Sequence, residues 1–258
     1  MPLRTPAPIV LAFLFAVSPS PALAKSQLPS GFVRLADIAP TIRKDMRYAG
    51  RNNFTGRPVP GYAAAACILA RPVAHALKRV QARLAKRNLS LMVFDCYRPQ
   101  KAVDSFIAWA KSRGGPDTKF YYPHIARSKI VPFGYVAKVS SHSRGIAVDL
   151  TIVRREPANP TSDTNSARQP RKPGASCIDA PPAVRNTGFA MLDMGTSFDC
   201  FDKKSHTRHA GVSTIARANR RRLLKAMTAE GFRNYSREWW HFSFPAKGFG
   251  RTHNFVVD

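Results

Sequence analysis

Acidic side chains are scarce in this sequence: 15 Asp and Glu stand against 41 Lys and Arg over 258 residues, a formal net charge of +26 at pH 7. An excess of that size suits an anionic partner, and nucleic acid is one reading of it. An anionic cell envelope is the more economical reading if the chain is exported, and many of the cations fall on the polar faces of expected helices, where they are simply solvated. Long apolar runs are also missing. Past the first two dozen residues nothing approaches eighteen consecutive apolar positions, which excludes a transmembrane helix there. Residues 1–24 read differently: Arg4 precedes an apolar core from Ile9 to Val17 and a small-residue site, Ala22-Leu23-Ala24, the pattern of a secretory signal peptide. No cysteine sits at that site, which argues against a lipid anchor. The expectation is a periplasmic or secreted protein beginning near Lys25.

No Gly/Ser-rich linker and no internal repeat divides residues 25–258, so one domain is expected. Only four cysteines are present, and three pairings are possible. In an oxidising compartment, Cys177 and Cys200 bracket one loop-rich segment while Cys67 and Cys96 flank a single helix. Those two bonds are expected; buried free thiols are the alternative.

Arg71-Pro72-Val73 opens a helix with Val73, Leu77, Val80 and Leu84 on one face, ending at Asn88. Leu89 to Tyr97 reads as a strand. A second helix runs from about Pro99 to Arg113, with Val103, Phe106, Ile107 and Ala110 inward and Gly114-Gly115 beyond. Gly145 to Val153 is the next strand. Residues 154–188, rich in Pro, Arg, Asn and Ser, cannot bury enough surface to order themselves and are expected to form an extended surface loop. Ser213 caps a third helix carrying Ile215, Leu223, Leu224 and Met227, with Gly231 past its end. Glu238 to Phe244 is an aromatic stretch with strand character. Helices and strands without regular βαβ alternation predict an α+β fold with an antiparallel sheet.

With so few carboxylates, one that falls inside an apolar run needs a reason. Asp149 lies between Ile146-Ala147-Val148 and Leu150, and an ionised carboxylate out of water costs several kcal/mol unless it is paired or bound to a metal. Zinc sites that do chemistry use three protein ligands and leave a fourth position to water. His142 can supply one ligand, because a turn at Gly145 brings it back towards Asp149; His241, set among Trp239, Trp240 and Phe242, can supply the third. Glu238 would then lie beside the metal without binding it, where a general base belongs. Singly, each residue has a plainer account, such as a hydrogen-bonded core histidine or an Asp paired with an Arg. His206 and His209 make a poor second site, because Lys204 and Arg208 repel cations.

The helical His-Glu-x-x-His pattern of the commonest zinc proteases is absent. Ser140-x-His142-x-x-x-x-x-x-Asp149 together with Glu238-Trp239-Trp240-His241 instead resembles the motif pair of the D-alanyl-D-alanine dipeptidases, enzymes known from vancomycin resistance. Arg47-Tyr48-Ala49, Asn53-Phe54-Thr55-Gly56, Asp95-Cys96-Tyr97-Arg98-Pro99, Tyr121-Tyr122-Pro123, Asp193-Met194-Gly195 and Phe198-Asp199 follow in the same order, so the likeness spans about residues 33–245.

The resemblance implies a single α+β domain of the hedgehog/DD-peptidase type, a central antiparallel sheet flanked by helices. It implies one Zn2+ ion per chain on His142, Asp149 and His241, Glu238 as catalytic base and Arg98 as donor to the developing oxyanion. Asp199 would take the substrate ammonium, with Ser140 and Tyr48 lining the site. The implied activity is hydrolysis of the D-alanyl-D-alanine dipeptide by a metal-activated water. One alternative keeps the chemistry and acts on peptidoglycan stem peptides as a D,D-carboxypeptidase or endopeptidase. Another is a noncatalytic basic envelope or polyanion-binding protein.

Overall fold

The computed structural model describes residues 27–155, 175–179 and 189–258. The signal-peptide expectation for residues 1–24, and most of the expected 154–188 loop, lie outside these residues. Four helices are described: α1 (Leu35–Ile38), α2 (Arg71–Ala85), α3 (Gln100–Lys111) and α4 (Thr214–Thr228). The strands are β1 (Phe32–Arg34), β2 (Arg43–Lys44), β3 (Ile68–Ala70), β4 (Leu89–Asp95), β5 (Ala147–Arg155), β6 (Phe189–Met191), β7 (Arg233–Asn234) and β8 (His241–Ser243). β1 and β3 form a small antiparallel pair, while the main sheet runs β2-β4-β5-β8-β7 with β6 beside the far end of β5. The class is α+β, as expected. The main sheet is antiparallel except at one edge, where β2 runs parallel to β4.

β4 and β5 are the centre of the sheet and explain its stability. All seven residues of β4 are buried, as are the first seven of β5, so both strands are covered on both faces. α2 covers β4 with the Val73, Leu77, Val80 and Leu84 face read from the sequence. Gln81 on that face is buried and satisfied: its amide donates to Ser90 Oγ at 2.9 Å and accepts from Leu91 N at 2.8 Å, fixing helix to strand. Both expected disulfides form. Cys67–Cys96 spans 5.2 Å between Cα atoms and Cys177–Cys200 spans 5.5 Å.

Three readings are corrected. β5 continues through Arg155, because Arg154 and Arg155 pair with Ala190 and Phe189, so those two residues are strand rather than loop. Ile215 is 67% exposed; the buried stripe of α4 is Ala216, Asn219, Arg220, Leu223 and Met227, and Ile215 falls at its edge. Only His241–Ser243 of the aromatic stretch is strand. Glu238 sits in the turn before it, with its N–H donating to Tyr235 O at 3.0 Å while its own carbonyl accepts from His241 N at 3.3 Å.

Candidate active site

The strand register sets the site. Asp95 of β4 stands opposite Asp149 of β5, and Asp149 stands opposite His241 of β8, so three polar residues form one row across adjacent strands. A register irregularity between Val93 and Asp95 places Asp95 in that row. His142 arrives from a single 3-10 turn, His142–Arg144, that ends on Gly145 in the left-handed conformation, φ 71°. A β-carbon at Gly145 would lie 2.3 Å from Phe32 Cε1, so glycine is required there for both backbone and space.

The row and the turn bring together donor atoms of His142, Asp149 and His241. His142 Nε2 is 3.1 Å from His241 Nδ1 and 3.3 Å from Asp149 Oδ1, and His241 Nδ1 is 3.1 Å from the same oxygen. Donors on a tetrahedral ion with bonds of about 2.0–2.1 Å are separated by roughly 3.3 Å, so this triangle fits such an ion. The tautomer of His142 fits as well. Its Nδ1 lies 2.6 Å from the Cys96 carbonyl, which can only accept, so Nδ1 carries the proton and the bare Nε2 lone pair faces the other two donors.

The surroundings are short of positive charge. Asp95, Asp149, Asp199 and Glu238 are all buried; Arg98 is the one guanidinium lining the cavity, and Arg47, outside the lining, also acts on Asp199. Arg98 Nε donates to Asp95 Oδ2 at 2.9 Å and its Nη2 lies 3.5 Å from Asp149 Oδ2. Burial works to raise the Asp149 carboxyl, but His142 and His241 outweigh it and hold the group well below the ordinary carboxylate range. Burial pushes Asp199 and Glu238 well up, helped in both by the negative charge of Asp149. Burial also lowers His241, favouring the neutral ring that can donate a lone pair. Two imidazoles, the Asp149 carboxylate and surplus buried carboxyls form a donor set that a divalent cation would balance.

The non-cysteine site residues implied by the resemblance all border one cavity of about 240 Å3: Tyr48, Arg98, Ser140, His142, Asp149, Asp199, Glu238 and His241. That volume lies below the roughly 300–1,000 Å3 of pockets for drug-sized ligands. Glu238 Oε2 is 4.0 Å from His241 Nδ1, beside the triangle without belonging to it. Asp199, in the left-handed region at φ 60°, accepts from Tyr48 Oη with both carboxylate oxygens at 3.1 Å. Ser140 Oγ accepts from His142 N at 3.2 Å. His206 and His209 join no metal-ligating group among the described residues.

Some supporting residues escaped the sequence reading. Asp95 clamps Arg98 and is itself held by Tyr62 Oη at 2.6 Å; the argument that singled out Asp149, a carboxylate in an apolar strand, applies equally to it. Asn234 donates to the carbonyls of Glu238 and His241 at 3.0 and 2.9 Å, bracing the Glu238 turn, and no local pattern announces it. Tyr235 reaches across the mouth to the Gly134 carbonyl at 3.1 Å.

Comparison with known proteins agrees with this geometry. A family model described as D-ala-D-ala dipeptidase, Peptidase M15, matches residues 29–166 and 159–258. A curated D-alanyl-D-alanine dipeptidase of Enterococcus faecalis is 34% identical over 232 residues, 89% of this chain and 100% of the relative. Proteins of the same name from Enterococcus faecium and Escherichia coli are 36% and 30% identical over 213 residues, covering 82% and 83% of this chain and 90% and 84% of theirs. The chain therefore belongs to the Peptidase M15 family of metallopeptidases.

Proposed function

We propose that this chain is an exported zinc dipeptidase that hydrolyses D-alanyl-D-alanine. The observation that carries the reading is the meeting of His142, Asp149 and His241 beside Glu238, Arg98 and Asp199 on one small cavity. His142, Asp149 and His241 would hold the ion. When bound, zinc supplies Lewis acidity and lowers the pKa of water at the site to about 7.

The rest is done by the chain itself. Glu238 accepts the proton of the attacking water and returns it to the departing amine; burial makes its carboxylate a stronger base than one in solvent. Arg98 is fixed by Asp95, and a guanidinium has more N–H donors than one carboxylate uses, leaving donors for the oxygen that becomes negative. Asp199, oriented by Tyr48, pairs with the substrate ammonium, and Ser140 lines the same cavity. A site with a fixed carboxylate for the free amine and little volume beyond it favours a dipeptide over a longer chain.

The two disulfides and the pattern of residues 1–24 support residence in the periplasm or outside the cell, where peptidoglycan fragments would supply the substrate. Residues 25–258 would then form the single catalytic domain. The test is a metal analysis of the purified protein coupled to hydrolysis of free D-Ala-D-Ala and of an N-blocked stem peptide, with and without a chelator. One zinc per chain and chelator-sensitive cleavage of the dipeptide alone are expected. Cleavage of only the longer peptide would overturn the dipeptidase assignment.

A further inference from the structure

α2 and α4 leave a trough between them of about 660 Å3, separate from the cavity around the histidines. Its floor is made of small or apolar side chains, Leu84, Ala218, Ala226 and Ala229. Its walls are cationic. Arg83, Lys86 and Arg87 stand on the α2 side and Arg221, Arg222 and Lys225 on α4, and no acidic residue lines it. Arg221, Arg222 and Lys225 recur at three- and four-residue spacing along one face of α4, and Lys86 and Arg87 follow Arg83 just past the end of α2, so like charges crowd each side and repel one another.

Little within the chain relieves that repulsion. Glu230 is shared by Arg79 and Arg83 at 2.7 Å each, and Arg222 donates to the neutral amide of Asn219 at 2.9 Å. Lys86, Arg87, Arg221 and Lys225 are exposed and make no salt bridge among the described residues. Two rows of cations, in which Arg83 alone has an acidic partner among the described residues, flank apolar side chains and can grip a thin anionic chain from both sides.

We propose that the trough between α2 and α4 binds a linear phosphodiester polymer that lacks aromatic bases. The exposed large apolar side chains that a membrane would take up lie elsewhere: Val139 and Tyr235 border the cavity of the histidines, and Phe133 adjoins Gly134 there. Ile215, at the start of α4, and Val256 are outside the trough lining. No aromatic ring and no Asn or Gln lines the trough, so it offers neither stacking platforms nor base-edge partners, as nucleic-acid readers do. What it offers is charge at regular spacing, which binds phosphates by releasing their counterions.

The test is a salt titration of the full protein with a fluorescent abasic deoxyribose-phosphate oligomer. Binding that weakens linearly in log salt is expected. The variant R221A/R222A/K225A should lose at least about tenfold in affinity at low salt and about two units of salt slope, since each phosphate contact to a single strand contributes roughly 0.7. K111A/R113A/K247A removes the same charge outside the trough and should change affinity less than threefold. Dipeptide hydrolysis and metal content should match wild type in both. Should the trough triple variant not fold, K86E/K225E, one change from each wall, is read in the same way. Equal losses in the trough and control variants would assign the binding to net charge and overturn the proposal. So would no binding, a tenfold preference for oligothymidine of equal length, or capture by anionic-lipid vesicles that the trough variant abolishes while oligomer binding persists.

Discussion

At the scale of single residues, the site separates those that would hold a metal from those that would act on substrate, and variants distinguish them. Glu238 stands beside the triangle of donors but outside it. Glu238→Ala is therefore expected to keep zinc at wild-type stoichiometry and to lose about 10²–10⁴ in turnover. His142→Ala removes the lone pair whose tautomer Cys96 sets, and both metal content and activity should fall. Near-normal turnover in Glu238→Ala would mean that another group takes the proton. Arg98→Ala should lower kcat by about 10²–10³, the usual cost of one oxyanion donor, with metal content unchanged. Gly145→Ala meets two penalties, a left-handed backbone worth about 1–2 kcal/mol and the Phe32 ring against its β-carbon. It should lower both thermal stability and metal affinity. Removing the ring as well, in Phe32→Ala/Gly145→Ala, would relieve the clash and leave the backbone cost. These residues were legible because burying a carboxylate in an apolar strand is expensive enough to require a cause. Asp149 announced itself that way; Asp95, by the same argument, could have.

At the scale of elements, α2, α3 and the core of α4 could be read from periodicity because a single buried face repeats within a short window, and β4 from its run of strand-forming residues, all seven of them buried. β2, β6 and β7 could not. They are two or three residues long and exist only because a distant partner offers a free edge, as β5 does for β6. The disulfides join elements, and the two have unequal reach. Cys96 is both half of a bond and the carbonyl that sets His142, whereas Cys177–Cys200 ties down the segment next to Asp199. Each pair should contribute about 2–4 kcal/mol, visible as a lower melting temperature in reductant. Only C67A/C96A is expected to weaken zinc binding as well, so equal zinc affinity in C67A/C96A and C177A/C200A would refute the link. A smaller tie joins α2 to the end of α4. Glu230 is held below its ordinary pKa chiefly by its hydrogen bond from Arg79, with Arg83 adding to it. Its contribution is therefore present above the unfolded carboxylate value and lost as pH falls through the lowered one. Both arginines are mostly exposed, so Glu230→Gln should cost under about 1 kcal/mol at pH 7, less in high salt, and nothing in acid.

At the scale of the whole molecule, Asp149, Asp199 and Glu238 outnumber Arg98 in the cavity lining, so a bound cation would balance negative charge that burial otherwise opposes at Asp199 and Glu238. Chelation should lower the melting temperature, and added zinc should restore it in proportion to the logarithm of its concentration. A melting curve indifferent to zinc would separate the triangle from metal binding altogether. The sequence revealed the class and the residues of this centre, but not the cross-strand row that aligns them, which depends on register between strands far apart in the chain. Asp149 and His241 are 92 residues apart, and they face each other only when β8 has docked on β5. A chain emerging from its N-terminus would complete α2, β4, α3 and β5 while still holding only part of the triangle. The centre is thus closed by one of the last strands to be made, and the ion can be captured with all three donors only by a protein that has already found its fold.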